Sequence, residues 1–197
     1  MRATDSVYGL VLAGGMSRRM GIDKAALLSD GMTQLSRAVT LLENYVEKVY
    51  VSTNIGQSDD AVRRDFDLIV DKYDNIGPLA GILSAMDLFP KRNWLVVACD
   101  LPNLDATTIE YLLGNWEKTQ PMTAFQSVLD GMPEPLCAIY QSVARPIIDS
   151  FVGQGIHCPR KILLNAPTCL LTQPNPGALH NINRPEDLAG TKIELTT

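Results

Sequence analysis

The sequence predicts an α/β fold, a three-layer α/β/α arrangement built as a single domain over residues 1–197 around a mostly parallel sheet. Three observations carry this. Short apolar runs of strand length alternate along the chain with segments of helical periodicity. Two of the runs, Val7–Leu12 and Trp94–Cys99, are nearly continuous in apolar residues, as in strands buried on both faces. Finally, 197 residues, 46% of them hydrophobic, suffice for one well-buried core and are too few for two.

The elements follow in order. Val7–Leu12 is the first strand, and a glycine-rich loop succeeds it. Gln34–Tyr45 places Leu35, Ala38, Val39, Leu41 and Leu42 at helical spacing. Lys48–Thr53 and Asp67–Val70 predict a second and a third strand, the latter ending at Asp71. Pro78–Phe89 suits a helix, with Pro78 tolerated in its first turn. After the strand Trp94–Cys99, Asp105 is placed to cap a helix running to about Trp116. Thr123–Val128 and Leu136–Tyr140 bracket Asp130-Gly131, a turn signal. Helical pattern returns over Val143–Val152 and Lys161–Leu164, and Pro174–Gly177 forms a loop. In such a sheet ligands gather beyond the C-terminal strand ends. The glycine-rich loop, Asn54, Asp71 and Asp100 all fall there and are expected to converge on one crevice.

Composition removes several functions. The net charge of −5 argues against a general nucleic-acid binder, which carries a basic face. No stretch has the length of an apolar membrane span, and the N-terminus lacks a charged-then-apolar signal pattern, so a cytoplasmic location is expected. Cys99, Cys137, Cys158 and Cys169 show no Cys-x-x-Cys spacing, and there are only two histidines. A structural zinc site is not expected; buried free thiols in a reducing compartment are.

The most informative stretch is Gly9 to Lys24, where the first strand runs into Gly14-Gly15, then Arg18-Arg19, Gly21 and Lys24. Glycines let backbone N–H groups approach phosphate oxygens, and Arg18, Arg19 and Lys24 place three cations within seven residues. The pattern suits a nucleotide. It is neither a Walker A loop, since Gly21 precedes Ile22, Asp23 and Lys24, nor the dinucleotide fingerprint, since Gly14 and Gly15 are adjacent. Read without context, the same loop is a turn with solvated arginines.

Leu12 to Lys24 fits every fixed position of the signature Leu-Ala-Gly-Gly-x-Ser-x-Arg-Met-Gly-x-Asp-Lys, and so resembles the MobA-type nucleotidyltransferases, the molybdenum cofactor guanylyltransferases. Four later segments are similar to the family's and come in its order: Gly77-Pro78-Leu79-Ala80-Gly81-Ile82, Cys99-Asp100-Leu101-Pro102, Pro133-Glu134-Pro135-Leu136, and Asn181 through Leu188. The resemblance implies a Rossmann-like nucleotidyltransferase fold. It implies GMP transfer from GTP to the terminal phosphate of molybdopterin, with or without molybdenum, releasing pyrophosphate with Mg²⁺ as cofactor. Such acceptors are labile, which implies handover between molybdenum-cofactor delivery or acceptor proteins. The alternatives are a relative using CTP or another phosphorylated acceptor, and a regulator that binds nucleotide without transfer.

The resemblance also implies roles for particular residues. Asp100 would hold the magnesium; a carboxylate fixed behind a buried strand is a hard ligand suited to it, although the same residue serves equally as a turn aspartate before Pro102. Asn183 is implied as a second metal ligand, with capping of a short helix near Pro185 as its other role. Lys24 and Arg19 would contact the phosphates, with Lys24, Arg19 and Asp100 the catalytic group; Arg18 falls at a variable position. Leu12, Ala13, Gly14, Gly15, Asn54, Asp71 and Gly77 complete the implied nucleotide contacts, Asn54 and Asp71 also being ordinary turn and strand-end residues. Ala13-Gly14-Gly15 and Gly77-Pro78-Leu79-Ala80-Gly81 are similar to guanylyl-transferring members, whereas cytidylyl-transferring ones more often show Leu-Ala-Ala-Gly. Pro133-Glu134-Pro135-Leu136 is expected at the wall of a second-substrate pocket, with Glu134 equally a structural loop acid, and His157-Cys158 is expected to be structural.

Overall fold

The computed structural model describes residues 6–15, 23–182 and 193–194. A seven-stranded sheet forms its centre, built from β1 (Val7–Leu12), β4 (Val49–Thr53), β5 (Leu68–Val70), β6 (Asn93–Ala98), β7 (Met122–Gln126), β8 (Pro133–Tyr140) and β9 (Thr168–Thr172) in the order β5-β4-β1-β6-β8-β7-β9. Only β8 runs antiparallel, against both β6 and β7; the other pairings are parallel.

Side chains alternate across the sheet, as the strand period of two requires. Val7 and Val11 of β1, with Leu95 and Val97 of β6, face α1 (Gln34–Glu43) and α3 (Ala106–Gly114). Tyr8 and Leu10, with Trp94 and Val96, face α2 (Leu79–Leu88), α4 (Arg145–Gly153) and α5 (Pro159–Asn165). Both apolar faces are therefore covered, which gives the expected three layers. Asp105 caps α3 as predicted, its Oδ1 accepting from the Thr108 amide at 2.8 Å. No described helix is long and apolar enough to cross a membrane.

The N-terminal strand ends carry an aromatic cluster. Tyr8, Tyr50, Phe89 and Trp94 lie with ring centroids 5.1–6.0 Å apart, and the Arg92 guanidinium stands 4.5 Å over Tyr8.

The structure departs from the sequence reading in four places. A small second sheet, β10 (Ile193–Glu194), β2 (Leu28–Ser29) and β3 (Met32–Thr33), was not predicted; its hairpin turns on Asp30-Gly31, both at positive φ. Edge strand β9 was also missed, because its partner β7 lies more than forty positions earlier and nothing local announces the pairing. The segment Pro133-Glu134-Pro135 is strand rather than loop. Its prolines are tolerated because β6 pairs only with Cys137 onward and the β7 register shifts between Ala124 and Phe125, so the missing N–H groups cost little ladder. Finally, Cys99 and Cys137 are buried free thiols as expected, but Cys158 is exposed and Cys169 partly so. Burial raises the thiol pKa of both Cys99 and Cys137 to about 12, so neither is a thiolate near neutral pH.

Candidate functional site

The C-terminal ends of β1, β4, β5 and β6 open on a cleft of about 620 Å³. Leu12, Ala13, Gly14, Gly15, Lys24, Asn54, Asp71, Gly77 and Asp100 all line it, so the predicted convergence of strand ends is met among the described residues. Arg19 and Asn183, expected at the phosphates and the metal, lie outside the described residues, as does Arg18.

Asp100 follows β6 directly, and Lys24 opens a short 3-10 turn, Lys24–Ala26, that Asp23 caps by accepting from the Ala25 amide at 3.0 Å. Although 76 positions apart, Lys24 Nζ stands 2.9 Å from Asp100 Oδ2. The side chains are only 17% and 18% exposed. Asn181 Nδ2 donates to the other Asp100 oxygen at 3.1 Å, and the Ile182 amide donates to its carbonyl. The carboxylate is thus held on both oxygens in the mouth of the cleft.

Asp71 ends β5 and accepts from Ser52 Oγ at 2.7 Å. Burial is the main influence on it and pushes its pKa up to about 6, with the Ser52 hydrogen bond opposing. Its loop is pinned by the Lys72 amide donating to the buried Ser84 Oγ, and by Tyr73, whose hydroxyl donates to Asp87 at 2.8 Å and accepts from Arg145 at 3.2 Å. Asn54 lies in the cleft and also holds the loop, donating from Nδ2 to the Gly14 carbonyl at 2.8 Å. A Cβ on Gly14 would stand 3.0 Å from the Asn54 nitrogen and 3.2 Å from Asp71 Oδ2, so a larger residue there would crowd both.

Sequence reasoning missed Arg63. It sits in a charged stretch, Asp59-Asp60-Ala61-Val62-Arg63-Arg64-Asp65, that reads as a solvated face, yet its side chain is 0% exposed. Nε and Nη2 donate to the Ala13 carbonyl at 3.1 and 2.7 Å, while Nη1 and Nη2 donate to the Asp23 carboxylate at 2.6 and 3.0 Å. Asp60 accepts from Nη1 at 2.6 Å. The two carboxylates compensate the burial of the guanidinium charge. The only sequence signal was the Asp60–Arg63 spacing of three, too common to single out.

A second, more apolar cavity of about 430 Å³ adjoins the cleft, sharing Gly77, Pro78 and Leu136 with it. Glu134, Leu136, His157, Cys158, Arg160 and Asn181 are among its lining residues. Glu134 is ion-paired with Arg160 at 3.0 Å, and Arg160 also reaches Asp130. Glu134, Pro135 and Leu136 of the expected segment line this cavity; Pro133 is not among its lining residues.

Residues 9–167 match the MobA-like NTP transferase domain. The chain belongs to that family. This MobA-like chain is accordingly a nucleotidyltransferase. It is 36% identical over 92% of its length to a "Molybdenum cofactor biosynthesis bifunctional protein" of a Synechocystis species, and spans about half (52%) of that relative. It is 29% identical to a "Probable molybdenum cofactor guanylyltransferase" of Pyrococcus furiosus, covering 94% of this chain and 96% of that one. The molybdopterin-guanine dinucleotide biosynthesis protein A of Archaeoglobus fulgidus superposes with a TM-score of 0.76 at 22% identity, over 92% of this MobA-like chain and 95% of the other, a likeness of fold.

The residues present fit a magnesium ion. Among the described residues no cluster of three or more His, Cys, Asp or Glu could hold a metal. Magnesium, however, keeps several waters and takes one or two protein carboxylates plus substrate phosphates. Asp100, fixed beyond a fully buried strand, supplies such a carboxylate.

Proposed function

We propose that this chain transfers GMP from GTP to the terminal phosphate of molybdopterin, with or without bound molybdenum. A phosphate oxygen of the acceptor attacks the α-phosphorus of GTP in line. The new P–O bond forms as the bond from the α-phosphorus to the α,β-bridging oxygen breaks, and its electron pair leaves with pyrophosphate. The acceptor phosphate is already ionised near neutral pH, so no general base is required, and positioning and charge neutralisation carry the step.

The observation that supports this reading is the meeting of Lys24 and Asp100, 2.9 Å apart, in the cleft that the glycine-rich loop lines. A cation for a triphosphate and a carboxylate for a divalent metal then address the same few ångströms. Lys24 binds and steadies the phosphates, Asp100 with Asn183 would hold the metal, and Arg19 would add charge at the β- and γ-phosphates. Magnesium, when bound, supplies positive charge to the phosphate oxygens. Gly14 and Gly15 offer backbone donors, Asn54 keeps the loop in place, and Asp71, which lines the cleft, accepts from the base on this reading. The apolar cavity behind Gly77 and Pro78 takes the pterin, the names of the relatives giving the acceptor class.

Incubating the protein with each nucleoside triphosphate, Mg²⁺ and purified molybdopterin, and following pyrophosphate, tests the proposal. GTP-dependent release is expected. Preference for CTP would overturn the guanylyl reading, and nucleotide binding without turnover on any phosphorylated acceptor would overturn transfer.

A further inference from the structure

Two consecutive carbonyls of the glycine-rich loop are taken by fixed side chains: Ala13 O by Arg63, and Gly14 O by Asn54. No peptide bond among the described residues is cis. In a trans peptide the C=O and the following N–H point in opposite directions. Fixing the Ala13 carbonyl on a wholly buried guanidinium therefore turns the Gly14 N–H away from the interior, and Gly14 lines the cleft. The same guanidinium grips the other end of the loop, since Asp23 accepts from it while capping the turn that begins at Lys24.

We propose that Arg63 is the positioning residue of this site: it orients the Ala13–Gly14 peptide so that the Gly14 N–H faces the nucleotide, and holds Asp23 so that Lys24 stands over Asp100. The proposal rests on the reading of the cleft as a nucleotide site. Arg63 touches no substrate; it acts through the backbone of Ala13 and through Asp23. The role needs the planar fork of a guanidinium, because two donors reach one carbonyl while two reach one carboxylate. A lysine ammonium supplies the charge and cannot reproduce that geometry. A residue needed merely to neutralise Asp23 and Asp60 would be replaced well by lysine, which separates the two roles.

The test uses Arg63→Lys and Arg63→Met in the full chain, with two readouts. Amide hydrogen exchange at Ala13, Ala25 and Ala26, each hydrogen-bonded here, is expected to quicken about tenfold or more in both variants while β6 stays protected. Pyrophosphate release from GTP is expected to lose about tenfold to a hundredfold in kcat/KM, with lysine giving no rescue. Where Arg63→Met does not fold, Asp23→Asn loosens the same clamp from its more exposed side and is expected to raise exchange at Ala25. Wild-type exchange at these amides in Arg63→Lys, full rescue of turnover by lysine, or raised exchange with unchanged kcat/KM would each overturn the proposal. Absence of nucleotide turnover in the wild type would instead overturn the functional reading, and the exchange data would still decide the clamp.

Discussion

Ser52 Oγ donates to Asp71 at 2.7 Å, and the space that hydroxyl occupies exists because residue 81 has no side chain. A Cβ built on Gly81 would overlap Ser52 Oγ and stand 2.8 Å from Leu12 Cδ2. Three elements, β1, β4 and α2, therefore approach one another at a point that also sets a carboxylate in the cleft.

Gly81→Ala is expected to destabilise the protein by about 1–3 kcal/mol through overpacking. In a chain of this size that lowers Tm by roughly 2–12 °C. Because Ser52 has to move, nucleotide affinity falls as well, which calorimetry with Mg-GTP would detect. A melting temperature and affinity equal to wild type would refute the close-packing argument.

Asp71 gives a pH dependence whose sign follows from its environment. Its folded pKa of about 6 exceeds the ordinary 3.8, so the folded state holds the proton more tightly than the unfolded state. Folding is then relatively favoured at low pH, and that advantage is lost as pH rises between about 4 and 6. Asp71→Asn is expected to stabilise the free protein at pH 7.5 by on the order of 1 kcal/mol, after allowance for partial solvent screening. Denaturant melts at pH 4.5 and 7.5 check this; a mutational effect equal at both values would remove the linkage.

Ligand binding carries the opposite sign. On the proposed reading Asp71 accepts from guanine, and its ionised form accepts more strongly than the protonated acid, so affinity for Mg-GTP is expected to tighten as pH rises through about 6. Asp71→Asn should flatten that profile. Titrations from pH 5 to 7.5 measure it.

Asp100→Ala is expected to abolish magnesium-dependent turnover, a loss of about a thousandfold or more in kcat. Asp100→Asn should also tighten binding of metal-free GTP by several-fold, because it removes a negative charge 2.9 Å from Lys24 in a partly buried site. Near-normal kcat in Asp100→Ala would take this residue out of the metal site.

Lys24→Ala removes the cation from the same pair. A loss of about 10²–10³ in kcat/KM for GTP is expected, comparable to removing one preorganised electrostatic contact. Steady-state kinetics decide it, and unaltered kcat/KM would end the role assigned to Lys24.

Much of the fold was legible because β1 and β6 are strongly apolar runs whose burial on both faces is written in their composition. Once the strands are parallel, Asn54, Asp71 and Asp100 must emerge at one edge, so the cleft could be placed without coordinates. What stayed hidden depends on partners remote in sequence. β9 needs β7, and Arg63 needs Ala13, fifty positions earlier. Its burial is decided by the pocket that the loop ends create, and a charged stretch carries no trace of such a pocket. The Asp30-Gly31 hairpin is different: it carries the same local turn signal as Asp130-Gly131, but its strands are too short to show an alternating pattern.

The rings of Tyr8, Tyr50, Phe89 and Trp94 clasp the foot of the sheet, and the stretch from Trp94 to Asp100 puts about 20 Å of strand between them and the chemistry. Ballast and workplace occupy opposite poles of the molecule, joined by stiff parallel rods. Heat tolerance can accordingly be tuned at one pole by repacking those rings, while the reacting groups at the other keep their spacing.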